Sequence, residues 1–125
     1  MDFPLTAEQE GLRSLARRMA EEHLRPRAAQ VDRDGQFPVD SIKELGKVGL
    51  WGLRIPKEYG GVGADMLSTV LVFEALAQEC ASTAMCFKMH LEAAKPLAHV
   101  ATPEQAERFL RPIARGELFY VGGIK

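Results

Sequence analysis

A glycine-rich segment at residues 55–65 holds the pattern that most suggests ligand chemistry. Gly60, Gly61 and Gly63 precede a long apolar run that is typical of a helix. Backbone amides at such a turn can bind a phosphate, because they converge with a helix N-terminus on the anion. The dinucleotide fingerprint needs the spacing G-x-G-x-x-G, and a Walker loop ends in Gly-Lys-Ser/Thr, whereas an alanine follows Gly63. We therefore predict a structural turn in which the glycines supply positive φ and Asp65 caps the next helix.

Histidines, cysteines and glutamates are the other candidates for chemistry. Cys86 and His90 stand four residues apart and could form a nucleophilic pair, but the sequence shows no orienting third group. A buried thiol beside a satisfied or pocket-lining histidine is the alternative. Glu74 and Glu79 could act as acid–base residues, or could pair with Lys or Arg at a helix edge. His90 and His99 cannot share a metal from one straight helix, so we assign no catalytic or metal-ligating residue.

Composition and charge restrict the classes of function. The 125-residue chain is 46% hydrophobic with a formal net charge of −1, which fits one globular domain and gives no footprint for nucleic acid or an anionic membrane. The most apolar stretch, residues 66–91, is interrupted by charged side chains and predicts buried helices, not a membrane span. No basic and then apolar leader follows Met1. Cys80 and Cys86 point in different directions on a helix, so we expect reduced thiols in a cytoplasmic protein.

Hydrophobic periodicity predicts an all-α domain, a bundle of about five or six helices. Thr6 begins the first helix with a capping-box pattern, and this helix could continue past Pro26 with a kink. A second helix covers residues 39–48, and the last begins at Thr102. Only residues 118–121 have strand chemistry, and we expect them to open the first strand of a β-domain that the chain lacks.

Two further helices are predicted to be buried. Residues 66–80 are apolar on nearly all sides, so we expect protein on every side of that helix. A break at residues 81–82, with Ser82 as a candidate cap, separates it from a second buried helix. Pro96 is expected to bend or end this second helix.

These segments, taken in order, resemble the N-terminal α-domain of the acyl-CoA dehydrogenase family. The resemblance covers essentially the whole chain, and its most specific part is Pro-x-Glu-Tyr-Gly-Gly-x-Gly at residues 56–63. The matching segments are residues 3–9 (FPLTAEQ), 37–38 (FP), 44–63 (ELGKVGLWGLRIPKEYGGVG), 73–77 (FEALA), 102–105 (TPEQ), 109–110 (FL) and 113–118 (IARGEL).

The resemblance implies an FAD-dependent enzyme that oxidises an acyl thioester at its α–β bond. Members of the family have an N-terminal α-domain, a middle β-domain and a C-terminal helical domain, usually in tetramers. A catalytic carboxylate removes the α-proton and flavin N5 takes the β-hydride. We expect residues 1–116 to form the α-domain and residues 117–125 to begin the middle domain. The implied partners are an acyl-CoA or related substrate, further copies of the chain in a dimer or tetramer, and an electron-transfer partner that stays unassigned.

The resemblance carries over part of the substrate pocket and little of the flavin site. The expected contacts are Ala84, Met85, Lys88 and Met89, with Glu92 as a further candidate, for the acyl tail, and Ile124 and Lys125 for the flavin. Ordinary core packing is the alternative for the acyl-tail residues. By register, Lys125 stands where the family has a threonine. No catalytic base is carried over, so we expect the isolated 125-residue chain not to turn over an acyl-CoA.

Two other functions stay open from the sequence. Lys88 and His90 are more polar than a pocket for an aliphatic tail requires. They could face solvent, or they could indicate a flavin monooxygenase of the same fold that acts on aromatic or sulfur compounds. The chain could also be a non-catalytic remnant that binds itself or a partner through an exposed apolar surface.

Overall fold

Five continuous helical stretches make up most of the fold in the computed structural model, which describes residues 2–120. The first joins α1 (Ala7–Met19), a π-helical turn (Ala20–Leu24) and α2 (Arg25–Asp34). The next three are α3 (Val39–Lys47), α4 (Met66–Glu79) and α5 (Ala81–Val100). The last joins α6 (Pro103–Gln105), a second π-helical turn (Ala106–Leu110) and α7 (Arg111–Ala114). Short 3₁₀ turns lie between α3 and α4, at Leu50–Gly52 and Lys57–Tyr59.

The described part of the chain is helical and contains no strand, which confirms the predicted all-α class. Residues 118–120 belong to no regular element. The rest of the predicted strand, residues 121–125, lies outside the described part, and so do the predicted flavin contacts Ile124 and Lys125. The division of the chain between residues 116 and 117 stays a prediction.

Capping side chains join the N-termini of α1 and α4. The Gln9 backbone amide donates to Thr6 Oγ1 (3.2 Å), and the Thr6 amide donates to Gln9 Oε1 (3.0 Å), which is the predicted capping box. Gln9 Nε2 also donates to Asp65 Oδ2 (2.9 Å), while Asp65 Oδ1 accepts from the Ser68 amide (2.7 Å). The Ser68 amide thereby holds the pKa of the Asp65 carboxyl below its ordinary value. One glutamine therefore serves two helix starts, and α1 packs against α4.

Each π-helical turn precedes a proline in the same helical stretch. Pro26 follows the turn that ends at Leu24, and Pro112 follows the turn that ends at Leu110. A proline has no amide hydrogen, and its ring clashes with the carbonyl four residues earlier, so a widened turn at that place relieves both problems. The first helix consequently continues past Pro26, with the π-helical turn directly ahead of it.

Trp51 belongs to the larger of the two apolar clusters that form the core. It is 2% exposed, and its ring centroid lies 5.6 Å from Phe87, 4.4 Å from His90 and 5.2 Å from Phe119. Gly46 lies so close to the indole that a Cβ there would overlap it. Aromatic contacts therefore hold the turn after α3 against α5. The absence of a side chain at Gly46 lets the same turn pack against α3.

Backbone hydrogen bonds close the glycine-rich segment on itself. The amides of residues 60–64 donate to carbonyls of residues 52–57 over 2.8 to 3.2 Å. Two of its glycines have positive φ, and a Cβ at Gly61 would overlap the backbone of Ile55. The amides that a phosphate loop would use are therefore bonded within the chain. The segment is the structural turn that the sequence predicts, with Asp65 as the cap of α4.

Gly61→Ala should destabilise the fold by about 1–3 kcal/mol, because the added methyl would be forced against backbone atoms of Ile55. Gly11→Ala is the matched control, since a Cβ there meets nothing within 4 Å. Alanine in the exposed interior of α1 should raise stability by about 0.5–1 kcal/mol. Urea unfolding followed by circular dichroism measures both variants. Equal effects of the two substitutions would contradict the close packing at Gly61.

Candidate functional site

α4 and α5 form a helical hairpin that presents one face away from the core. Cys80 alone connects them, in an extended conformation (φ −155°, ψ 98°). The predicted break at residues 81–82 therefore lies too late in the chain, and Ser82 is inside α5 and not its cap. α5 also continues through Pro96 to Val100, so this proline does not end the helix.

A groove of about 650 Å³ lies between α4 and α5, a volume typical of small-molecule pockets. We call it the α4–α5 groove. Its apolar lining consists of Met66, Val70, Phe73, Leu91, Pro96 and Val100. Its polar lining consists of Arg54, Thr69, Lys88, Glu92, Lys95 and His99.

Several apolar residues of this groove are exposed. Met66 is 63%, Val70 51% and Val100 78% exposed, whereas Val72 and Leu76 on the same hairpin are fully buried. The expectation that α4 has protein on every side is therefore wrong for residues 2–120. An exposed apolar surface of this kind commonly binds a ligand or another protein surface.

The polar residues of the groove lie along its border, and some of their charges are paired. Lys88 Nζ donates to Glu92 Oε1 at 2.5 Å across one helical turn, so this pair carries no net charge. Arg54 Nη1 donates to Thr69 Oγ1 at 3.3 Å. Pro96 has no amide hydrogen, so it cannot supply the helical donor for the Glu92 carbonyl. An apolar lining with a few polar groups at its edge suits an amphipathic ligand.

The predicted acyl-wall residues take different positions on α5. Ala84 is fully buried in the larger apolar cluster, and Met85 is 51% exposed. Lys88 and the further candidate Glu92 line the groove, whereas Met89 is half-buried and outside its lining. The role of these residues in an acyl pocket stays a prediction.

The α4 half of the groove has no counterpart among the sequence predictions. Met66, Val70 and Phe73 follow the spacing i, i+4, i+7, which places them in one row along α4. Apolar residues also occupy most other sides of α4, among them Leu71, Val72 and Leu76, so periodicity could not separate this exposed row from a buried one. In the sequence, the exposed side of the hairpin is indicated only by the row of polar residues on α5 that borders the same groove.

His90 lies in the core and not in the groove. A carbonyl can only accept, so Nε2 carries the hydrogen that is donated to Trp51 O (3.0 Å). A backbone amide can only donate, so Nδ1 is the acceptor for the Tyr120 N–H (3.1 Å). The expectation that His90 faces solvent or marks an unusual substrate is therefore wrong. The alternative of a satisfied buried histidine agrees with the structure.

This bonding also removes the nucleophilic pair of Cys86 and His90. Both nitrogens of His90 are engaged elsewhere, so the imidazole has no basic nitrogen for the thiol. Burial raises the pKa of the Cys86 thiol, which keeps the sulfur protonated and poorly nucleophilic. Glu79 accepts two hydrogen bonds of 2.6 Å from Arg25, which is the pairing that the structural alternative expects. Glu74 is exposed, and its pairing stays a prediction.

Comparison with known proteins decides the family. Residues 6–117 match the family described as "Acyl-CoA dehydrogenase, N-terminal domain". The chain belongs to the acyl-CoA dehydrogenase family. A short-chain-specific acyl-CoA dehydrogenase from Clostridium acetobutylicum is 38% identical over 118 residues, and the acryloyl-CoA reductase (NADH) from Anaerotignum propionicum is 39% identical over 116 residues. The butyryl-CoA dehydrogenase structure from Megasphaera elsdenii matches with a TM-score of 0.86 at 32% identity.

The acyl-CoA dehydrogenase resemblance predicted from the sequence is thus confirmed. The matches cover 94% and 93% of this chain for the two relatives and 95% for the structure. The chain spans about a third of the length of these proteins, 31% and 29% of the relatives and 32% of the structure. Among residues 2–120, no helix combines the length and apolarity that a bilayer crossing requires.

His90 should make the stability of this acyl-CoA dehydrogenase domain depend on pH. Burial lowers the pKa of His90 to about 4 from its ordinary value near 6.5, outweighing the opposite effect of the Trp51 carbonyl. The unfolded state therefore binds a proton first as the pH falls. The stabilisation is complete above about pH 6.5 and is lost as the pH falls toward 4, which amounts to about 3 kcal/mol in total.

Urea unfolding at about pH 7 and about pH 5 measures this effect, and we expect a loss of about 2 kcal/mol between them. His90→Gln should be less stable near neutral pH and should lose most of this pH dependence. Equal pH dependence in the wild type and the variant would show that another group is responsible.

Proposed function

We propose that this chain is the N-terminal α-domain of an FAD-dependent acyl-CoA dehydrogenase and forms one wall of the pocket for the acyl tail. The observation that carries the proposal is the exposed apolar surface of the α4–α5 hairpin, which includes Met85 at 51% exposure beside the groove residues, in a member of this family. An aliphatic tail gains about 0.8 kcal/mol for each CH₂ group that leaves water for such a surface. The wall would therefore favour acyl groups over small polar substrates.

The wall residues have distinct parts in this proposal. Met85 and Met89 present flexible, polarisable side chains that adapt to an apolar tail. Lys88 and Glu92 neutralise each other one turn apart, so their aliphatic stems can cover apolar surface while their charged ends reach water. Ala84 is fully buried, so a larger side chain there would disturb the core before it touched a substrate.

FAD enters the proposal through the family, which is a family of flavoproteins. When bound, FAD supplies an acceptor for the hydride that leaves the β-carbon of the acyl group. The glycine-rich segment does not fit the cofactor's phosphates, because the amides of residues 60–64 are bonded internally. The proposal assigns the flavin contacts of this chain to Ile124 and Lys125 and assigns no catalytic base to residues 2–120. The described residues would orient the acyl tail and exclude water from it.

We also propose partners for the complete protein. Its substrate would be an acyl-CoA, and it would assemble as a homodimer or homotetramer in the cytoplasm. The electron acceptor and the acyl chain length stay unassigned.

Two alternatives differ in what they require of this surface. The flavin monooxygenase alternative depended on polar residues in the wall. His90 is in the core, and Glu92 compensates the charge of Lys88, so neither residue favours that alternative. A non-catalytic binding module remains the second candidate, because the exposed apolar residues of the α4–α5 groove would also suit a protein partner.

A domain swap tests the proposal. This chain replaces the matching region of the Clostridium acetobutylicum relative, and the swapped protein is assayed for FAD content and for dye reduction by a short-chain acyl-CoA. Met89→Glu should raise KM at least about tenfold, since it places a charge against the apolar tail, and should leave the FAD content unchanged. Met89→Leu keeps an apolar side chain of similar volume and should stay within about twofold of the wild type.

The outcomes separate the candidates. An unchanged KM in the Met89→Glu variant would contradict the proposed wall. A folded swapped protein that binds no FAD and oxidises no acyl-CoA would favour the binding module.

A further inference from the structure

His90 and two aromatic rings contact the segment that leaves the helical bundle. The Tyr120 amide donates to His90 Nδ1 (3.1 Å), and the ring of Phe119 stacks on the imidazole at 5.3 Å with an interplanar angle of 12°. Phe119 also meets the edges of the Trp51 and Phe37 rings at 5.2 and 5.3 Å. Residues 119 and 120 belong to no helix or strand, so side-chain contacts hold this segment in place of a backbone ladder.

The position of His90 suits it to this task. The imidazole is fully buried, and the bond from Nε2 to the Trp51 carbonyl fixes both its rotation and its tautomer. Nδ1 is then left as an acceptor aimed at the segment. The Tyr120 amide is partly buried, and such an amide is destabilised when it loses its acceptor, so the hydrogen bond to Nδ1 favours this path of the backbone.

We propose that His90 is a positioning residue that sets where the backbone leaves the bundle at Tyr120, and that it thereby affects flavin binding. The first part rests on contacts within residues 2–120. The second part, an effect on flavin binding, rests on the proposed function. His90 touches no substrate in this account and acts only through the backbone that it holds.

Two substitutions separate the bonds of the imidazole. His90→Asn places an oxygen acceptor where Nδ1 lies and loses the donor at Nε2. His90→Gln places an amide donor where Nε2 lies and loses the acceptor at Nδ1. Both remove the aromatic ring and have similar polarity, so each serves as the control for the other.

Amide hydrogen exchange in the 125-residue chain, followed by NMR, is the direct measurement. The Tyr120 amide should exchange about tenfold faster in His90→Gln than in His90→Asn, the factor for one ordinary hydrogen bond. The amides of Phe87 and Leu91 on α5 report general opening of the fold and should change equally in both variants. Nitrogen chemical shifts of wild-type His90 should show a protonated Nε2 and an unprotonated Nδ1. Equal exchange of Tyr120 in the two variants, or a protonated Nδ1, would overturn the proposal.

The swapped protein described above gives the second measurement. His90→Gln should bind FAD about tenfold more weakly than His90→Asn if the segment contributes to the flavin site. Equal FAD affinity with unequal Tyr120 exchange would overturn only the link to flavin. If the wild-type swapped protein binds no FAD at all, the proposed function fails, and the exchange result still decides the role of His90.

Discussion

The packing of Trp51 is the constraint on which the rest of the domain depends. Its indole lies against Gly46 of α3, and its carbonyl accepts the Nε2–H of His90 on α5. That bond fixes the rotation of α5 about its own axis. Residues two positions from His90 lie about 200° away around the helix, so Lys88 and Glu92 face outward because His90 faces inward. The turn that contains Trp51 thereby determines which residues of α5 face outward, where a ligand could bind.

The glycine-rich segment holds the chain that follows Trp51 in place. Its amides bond back to the strip of chain that contains Leu53 and Ile55, and Gly61 lets the two backbones approach. The segment that most suggests phosphate chemistry is therefore a structural turn. The surface available for binding lies on the α4–α5 hairpin. A helix as apolar as α4 buries one side against α1 and α5 and leaves the other exposed. Covering that side with an acyl tail or a further protein layer would lower the free energy, because apolar surface would leave water.

Local features of this fold could be predicted from the sequence, and long-range ones could not. The capping box of Thr6 and the Asp65 cap depend on neighbours three residues away, and the structural glycine turn depends on carbonyls at most eleven residues away, so their residue types were sufficient. The placement of His90 depends on a carbonyl 39 residues away and an amide 30 residues away. No spacing rule contains such information, so a core histidine could not be told from a pocket residue. Similarly, a helix that is apolar on nearly all sides shows that burial is favourable but not which chain or ligand provides it.

The most direct test of the account is a crystal structure of the FAD-loaded swapped protein with an acyl-CoA bound. The account predicts acyl carbons within about 4 Å of Met85 and Met89 on α5, with the hydrogen bonds of residues 60–64 unchanged. An acyl tail remote from α5, or a phosphate group bound by the amides of residues 60–64, would contradict it.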